Sequence, residues 1–342
     1  MPHRRLPADT LEAADEWFLS HGLTYFVPEK RQEARSALRP GRTVPLGAGV
    51  GLVAAGAGGA LAWFTGEFSS APAVLVSLGL AALAWYALSV LHARPIVAWA
   101  LSRTFGSLRL LLPMMTRALP LLLVFVTFLF INAEVWQVAA GLQTGMLWLT
   151  ALLFGGLATG FLLVRLPEEV DLVDDDVDDA FLRRACAGTP LEQSCEDLIA
   201  DPDCDPTEFA EVGGFERVNL VLVLLVIQAV QILLLAVTVF AFFVLFGGMV
   251  MALDVQAAWT GIERADIVHL PGVPNVSIPL VQVSLFLASF SALYLTVSTV
   301  TDETYREQFF GSVMREMERA VGMRAVYLAL RSRRPLPVTD DD

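Results

Sequence analysis

Acidic side chains are the clearest candidates for cation chemistry in this sequence of 342 residues. Asp201, Asp203 and Asp205 alternate along the chain as the first three ligands of a calcium-binding loop do. Such loops need a flexible glycine at the sixth position, where this chain has Pro206. The three aspartates are therefore only weak candidates for a divalent-cation site.

A second acidic run, at residues 174–179, has the DDxxD spacing that can hold magnesium and a pyrophosphate, because carboxylates one helical turn apart can share a hard cation. No second aspartate motif follows in an apolar helix, and the sequence lacks HExxH, CxxC, GxSxG and Walker motifs. A solvated acidic face is the preferred interpretation. A membrane enzyme that uses this run is the weakest functional hypothesis, and no cofactor is expected.

Polar residues within apolar segments form the second group with possible function. They are Asn132, Glu134, Gln228, Gln231, Gln282 and Ser289. Gln228 and Gln231 share one helix face by their i, i+3 spacing, and each needs a hydrogen-bond partner away from lipid. These residues predict the polar lining of a pathway through the membrane. The alternatives are polar contacts between packed helices and a Glu134 carboxylate that reaches the outer interface.

The composition places most of the chain in a membrane. Apolar residues make up 55% of the sequence and charged residues 17%, whereas a soluble domain carries about 25% charged residues. A helix needs about 20 apolar residues to cross the hydrocarbon core. The uncharged runs predict an all-α integral membrane protein with six transmembrane helices. We expect them near residues 45–64, 73–91, 118–139, 145–164, 219–246 and 279–300.

Arginine positions predict the orientation. With six spans, the arginines cluster on one side and Arg264 alone lies on the other. Because basic residues near span ends stay in the cytoplasm, both termini are predicted to be cytoplasmic. Lys30 is the only lysine among 23 Lys and Arg residues, a bias typical of GC-rich genomes. A prokaryotic cell (inner) membrane is therefore the expected location.

The acidity of the protein is local. Residues 167–218 carry 17 acidic and 3 basic residues, a balance of −14, whereas the whole chain has −13. This stretch predicts an acidic cytoplasmic insert of short helices. The other predicted parts are an N-terminal cytoplasmic or interfacial segment (1–44), helices 1–4 (45–166) with an interfacial amphipathic elbow (94–117), helices 5–6 (219–301) with an outer loop (254–278), and a cytoplasmic C-terminal helix with an acidic tail (302–342).

Small residues recur at intervals of four in two predicted spans. Gly47, Gly51 and Gly59 lie in the first span, and Gly156 and Gly160 in the fourth. This spacing lets two helix backbones approach closely in lipid. It predicts close helix packing, either within the chain or between the subunits of a homo-oligomer.

Two main functional hypotheses remain open. The first is an oligomeric channel or transporter for a small ion or solute, with spans 3, 5 and 6 lining the path. The second is a non-conducting scaffold or regulator that binds a partner through the acidic insert and the terminal helices. That insert could take a basic protein or a divalent cation, whereas its charge disfavours nucleic acid.

Overall fold

The described part of the chain consists of helices joined by short turns and loops. The computed structural model describes residues 7–106, 122–174, 177–270, 272–273, 275–301 and 303–333. The helices are α1 (Pro7–Ser20), α2 (Pro28–Ala37), α3 (Pro40–Thr65), α4 (Ser70–Ser89), α5 (Arg94–Gly106), α6 (Leu122–Phe130), α7 (Ala133–Gly141), α8 (Thr144–Asp174), α9 (Asp179–Cys186), α10 (Glu192–Ile199), α11 (Gly214–Val250), α12 (Leu253–Thr260), α13 (Ile278–Thr301) and α14 (Glu303–Ser332). No strand occurs in these described ranges. The all-α prediction is confirmed.

Five helices are long and apolar enough to cross a membrane. These segments are Thr43–Thr65, Ser70–Ser89, Thr144–Val173, Gly214–Val250 and Ile278–Ser298. They support a multi-pass α-helical membrane protein. The third predicted span, at 118–139, is instead the pair α6 and α7, which meet at an angle of 76°. The pair is a sixth crossing only if both halves belong to one span, so the six-span topology stays a prediction.

The bend between α6 and α7 has a local cause at Asn132. Its backbone is extended (φ −104°, ψ 118°), and its side-chain oxygen accepts a 2.8 Å hydrogen bond from the Glu134 amide. Asn132 is therefore an N-cap that starts a new helix. Trp136 stabilises the bend from its buried side, because its indole donates a 2.7 Å hydrogen bond to the carbonyl of Phe130.

The helices bring distant parts of the chain to two ends of the bundle. We call the loop end the one that carries the α3–α4 turn, α7 and α12, and the terminal end the one that carries α1, α2, α9, α10 and α14. At the loop end, the Ser69 hydroxyl bonds the Gln143 side chain (3.0 Å) and joins the starts of α4 and α8. At the terminal end, Arg217 at the start of α11 pairs with Asp171 near the end of α8 (2.6 Å). The first and last described helices thus share one end.

Helices α11 and α13 form the core of the bundle, whereas α3 and α4 lie at its edge. In the most apolar stretch of α13, 44% of residues are buried, against 11% in α3 and 6% in α4. Helix α11 runs unbroken through Gly247, which packs against Leu280 of α13 and Phe130 of α6. The α3–α4 pair therefore leaves most of its surface to lipid or to other helices.

Helix α5 occupies the first part of the predicted elbow at 94–117. It buries Ile96, Ala100 and Thr104 while Arg94 and Arg103 remain exposed, so one face is apolar and the other charged. The buried face packs along α11. Residues 107–117 of the predicted elbow lie outside the described residues.

Hydrogen bonds to one side chain close the long connection at the loop end. The Gln256 amide is fully buried and donates to the carbonyls of Met251 and Asn275, both at 2.9 Å. Its oxygen accepts a hydrogen bond from Ser277 (2.5 Å). These bonds tie α12 to both flanking helices.

Packing between α3 and α4 gives a test of their contact. A Cβ atom on Gly58 would lie 2.6 Å from the carbonyl oxygen of Ala71, whereas one on the adjacent Gly59 would meet nothing within 4 Å. We expect Gly58→Ala to lower the thermal midpoint of the purified protein, since overpacking costs about 1–3 kcal/mol. Gly59→Ala is the matched control and should leave the midpoint unchanged or raise it slightly, because alanine favours helix. Equal midpoints for the two variants would contradict this packing.

Candidate functional site

The polar residues predicted within the third span lie at the bend. Asn132 and Glu134 are both exposed. The side-chain oxygen of Asn132 accepts a hydrogen bond from the backbone amide of Glu134. They lie one residue apart on the outside of the α6–α7 corner, away from the buried Trp136. Their position fits a helix cap and an interfacial carboxylate more closely than a buried pathway.

Gln228 and Gln231 lie inside the bundle, as their spacing suggested. Both side chains are buried on α11, with 2% and 9% exposure. The Gln228 amide nitrogen and the Gln231 oxygen have no hydrogen-bond partner among the described residues. The Ser284 hydroxyl on α13 is likewise buried and unpaired in the described part of the chain. These atoms carry an energetic cost that a polar ligand or neighbour could offset.

The other two predicted polar residues each have a hydrogen-bond partner. Ser289 donates to the carbonyl of Leu285 on its own helix (2.9 Å). Gln282 is half-buried, and its amide nitrogen donates to the carbonyl of Leu142 at a distance of 3.5 Å. The Ser289 bond satisfies that hydroxyl within its own helix, whereas the Gln282 bond joins α13 to the residue after α7.

Aromatic rings fill the junction between α6, α7 and α11. Phe130 stacks on Phe243 with ring centres 4.8 Å apart, and Trp136 meets the Phe130 edge at 5.5 Å. All three side chains are fully buried. The junction between the third predicted span and α11 is therefore packed with rings at the loop end.

The predicted small-residue stripes face outward. A Cβ atom on any of Gly47, Gly51, Gly59, Gly156 or Gly160 would meet no other atom within 4 Å. Close packing within the chain uses Gly58, Gly145, Gly247 and Gly322 instead. The stripes on α3 and α8 remain available to another helix.

The aspartates of the calcium-like spacing stabilise a turn. Asp201 accepts a hydrogen bond from the Asp203 amide (3.0 Å) and pairs with Arg333 (2.8 Å), which together lower the pKa of its carboxyl. Asp205 accepts from the amide and hydroxyl of Thr207, at 2.9 and 2.6 Å, and caps the following 3-10 turn. Among the described residues, no three His, Cys, Asp or Glu side chains converge as metal ligands.

The acidic insert folds as a small layer between α8 and α11. Residues up to Asp174 continue α8 and residues from Gly214 begin α11, so the separate part comprises α9, α10 and the 3-10 turn Pro206–Phe209. Cys186 and Cys195 are buried free thiols at its centre. The layer packs on α14, where Gly322 lets α9 approach through Ala185.

Arginines of the C-terminal segment hold this layer in place. Arg319 donates to the carbonyl of Ala187 (3.3 Å), Arg324 to that of Phe209 (2.7 Å), and Arg333 pairs with Asp201 (2.8 Å). The three contacts reach the end of α9, the 3-10 turn and the loop before it. Residues 319–333 therefore contact the insert at three separate points.

A buried carboxylate joins both terminal segments at the base of this layer. Glu216, in the first turn of α11, has a side chain with only 4% exposure. Arg31 of α2 pairs with one of its oxygens (2.9 Å), and Arg324 of α14 pairs with the other (2.7 Å). A buried charge is tolerated only when it is paired and hydrogen-bonded. The Glu216 cluster, defined as Glu216, Arg31 and Arg324, satisfies that condition.

Asn219 extends the cluster by one helical turn. It is fully buried, its oxygen accepts a hydrogen bond from the Tyr25 amide, and its nitrogen donates to the carbonyl of Gly22, both at 2.9 Å. Gly22 has a positive φ of 72°, and a Cβ there would lie 2.9 Å from Trp99. The turn after α1 is therefore locked onto α11.

A second polar contact joins α1 to α14. The Tyr327 hydroxyl donates to Asp15 (2.7 Å), and the Arg331 guanidinium lies over the Tyr327 ring at 5.7 Å. Burial raises the pKa of the Asp15 carboxyl, and the hydrogen bond from Tyr327 offsets part of that rise. Burial also raises the pKa of Tyr327, so its hydroxyl remains a donor at neutral pH.

The outer surface of the insert carries unpaired negative charge. Five exposed carboxylates there have neither an ion pair nor a hydrogen bond among the described residues, namely Asp179, Asp197, Asp203, Glu208 and Glu211. Asp178, Glu192 and Asp205 are also exposed without an ion pair, but each accepts a hydrogen bond from a backbone amide. The result is a solvent-facing acidic surface on a rigid support, which we call the acidic face.

Sequence reasoning missed the Glu216 cluster and the Asn219 contacts. Glu216 was one of 17 acids in an acidic stretch, and its partners lie in two other regions of the chain. One signal in the sequence could have indicated that Glu216 is buried. It lies at the start of a long apolar helix, where a charged side chain can lie next to the buried face of that helix. Comparison with known proteins adds no identity, since no family model, curated protein or solved structure matches the chain.

The Glu216 cluster predicts a large effect from a small change. Glu216→Gln leaves two guanidiniums next to a neutral amide, and loss of one partner of a buried ion pair costs about 3–5 kcal/mol. We expect a clear fall in the thermal midpoint, measured by intrinsic fluorescence in detergent. Glu196→Gln, which removes an exposed pair with Arg183, is the control and should cost less than about 1 kcal/mol. Similar midpoints for both variants would rule out a stabilising cluster.

Proposed function

We propose that this protein is a membrane-embedded scaffold that binds a basic partner on its acidic face. The observation that supports it best is the construction of the terminal end. There the insert is tied to the C-terminal segment by three arginines and to both terminal segments through Glu216. A surface ordered in this way pre-organises its carboxylates, which reduces the entropy lost on binding.

The charge of the face selects the class of partner. Residues 167–218 carry −14 while the rest of the chain sums to +1, and five exposed carboxylates of the face are unpaired in the described structure. Opposite charges speed encounter and favour a partner with a cluster of Lys or Arg. The same charge repels nucleic acid and anionic headgroups. The proposal requires no catalytic step.

The setting of this scaffold follows from the arginine distribution. We propose that the terminal end faces the cytoplasm of a prokaryotic cell, with the bundle in its inner membrane, because the arginine-rich segments lie at that end. The outward glycines of α3 and α8 support assembly of several copies, since they allow close helix approach.

Binding of a defined polybasic probe tests the proposal. A fluorescent deca-lysine peptide should bind the detergent-solubilised protein with a salt-dependent Kd. Neutralising Asp179, Asp197, Glu208 and Glu211 together should weaken it about tenfold, since four exposed charges at about 0.35 kcal/mol each sum to about 1.4 kcal/mol.

The control removes the same number of charges from another surface. Asp9, Glu12, Glu16 and Glu29 are exposed acids of α1 and α2, and neutralising them should change the peptide Kd by less than about twofold. An equal loss in the two variants would show that the peptide responds to net charge alone, and the proposal would fail.

A second candidate function is conduction of a small ion or solute, in which α11 and α13 contribute the path. It is supported by the unpaired buried polar atoms of Gln228, Gln231 and Ser284 among the described residues. A hydrated path in an oligomer would supply partners for these atoms. Under this candidate the Glu134 carboxylate lies at the mouth of the path.

Flux into proteoliposomes separates the two functions. If the protein conducts, exchanging Gln228 and Gln231 for leucine should reduce the flux of the conducted ion about tenfold or more, because the path loses its polar lining. Ser289→Ala is the control, since that hydroxyl bonds its own helix. No flux through the unaltered protein, with Na⁺, K⁺ and Cl⁻ each tried, would eliminate conduction of these ions.

A further inference from the structure

A cavity opens between the α3–α4 turn and α8 at the loop end of the bundle. It has a volume of about 470 Å³, within the range of small-molecule sites. Apolar side chains including Leu61, Val74 and Leu78 form the part along α3 and α4. Thr144, Gly145 and Trp148 of α8 form the opposite wall. The cavity is therefore a cleft between the edge hairpin and the rest of the bundle.

Hydrogen bonds hold the walls of this cleft together. The Trp148 indole donates to the Ser77 hydroxyl (2.8 Å), which itself donates to the Ala73 carbonyl (2.7 Å). The Thr65 and Ser70 hydroxyls lie 3.2 Å apart across the α3–α4 turn. Close approach at Gly145, where a Cβ would lie 2.6 Å from the Ser69 hydroxyl, fixes the distance between the walls. The cleft is thus built by specific contacts.

Among the described residues, Glu67 is the only charged one that lines the cleft. It interrupts an otherwise uncharged stretch from Thr43 to Ala93, and it stands in the turn between two helices that could cross a membrane. The side chain is half-buried, and the described residues offer it no ion pair. The cleft also contains no basic lining residue in the described structure. A carboxylate next to an apolar cleft favours an amphiphilic ligand, that is, one with a cationic group and an apolar chain.

We propose that this cleft binds an amphiphile with an ammonium group, namely a phospholipid whose headgroup is a primary amine. The ammonium pairs with Glu67 at the membrane interface, and the face of Trp148 can add a cation–π contact. An acyl chain lies along Leu61, Val74 and Leu78 towards the middle of the bilayer. The lipid would thereby fill the gap between the loosely attached α3–α4 hairpin and α8. This site is independent of the acidic face at the other end.

Native mass spectrometry of the full chain in detergent tests the proposal. Phosphatidylethanolamine should remain bound at a higher fraction than phosphatidylglycerol with the same acyl chains. Glu67→Gln should reduce the bound phosphatidylethanolamine about fivefold, as for a half-buried ion pair, and abolish the preference. Glu263→Gln, an exposed acid elsewhere at the loop end, is the charge control and should have no effect.

A second pair of variants tests the cleft by volume. Val74→Phe fills the cavity without changing charge, and the adjacent exposed Leu75→Phe lies outside it. Only Val74→Phe should lower lipid retention.

Glycerophosphoethanolamine, which has the same headgroup without acyl chains, should compete weakly or not at all, and strong competition would mean a soluble amine site. Equal binding of the two lipids, or no difference between the Val74 and Leu75 variants, would overturn the proposal.

Discussion

One buried carboxylate determines how the terminal end of this protein is organised. Glu216 has a cost of desolvation that only two guanidiniums offset, one from α2 and one from α14. Since Arg31 and Arg324 come from opposite ends of the chain, loss of either terminal segment leaves one oxygen of the buried carboxylate without its ion-pair partner. The acidic insert then follows, because Arg324 also bonds the carbonyl of Phe209 within it. The Glu216 cluster therefore contributes, through Arg324, one of the three arginine contacts that hold this self-repelling stretch in an ordered layer.

The rest of the bundle divides into a firm core and a loose edge. Among the five long apolar helices, α11 and α13 have the largest share of buried residues, and aromatic rings around Phe130 pack at their loop end. The α3–α4 hairpin contacts the remainder mainly through α8 and presents glycines outward. A firm core is suited to carrying a fixed acidic face, and a loose hairpin is suited to contacts with lipid or other copies. This division supports the proposal of a scaffold.

Much of the fold could be predicted from the sequence because apolar length and charge are local properties. The five clear spans, the helical insert and the amphipathic face of α5 all follow from patterns within about 30 residues. The bend at Asn132 could not be predicted, because an asparagine caps a helix or pairs within one according to its neighbours. The glycine spacing did not identify the contact with α4, since Gly58 and not Gly59 meets that helix, and the packing of the stripe itself stays a prediction. The burial of Glu216 could not be predicted for a different reason. It depends on two arginines that only the tertiary fold brings next to this acid.

The most direct test of this account is a double-mutant cycle on the two arginines, with the free energy of unfolding measured in one detergent. Replacing Arg31 or Arg324 by methionine leaves Glu216 with one partner, whereas replacing both leaves the buried carboxylate with none. If Glu216 unites the terminal segments, the double variant loses about 1 kcal/mol or more beyond the sum of the single losses. Losses that add within about 0.5 kcal/mol would mean that the two arginines act independently, and the central role of Glu216 would be contradicted.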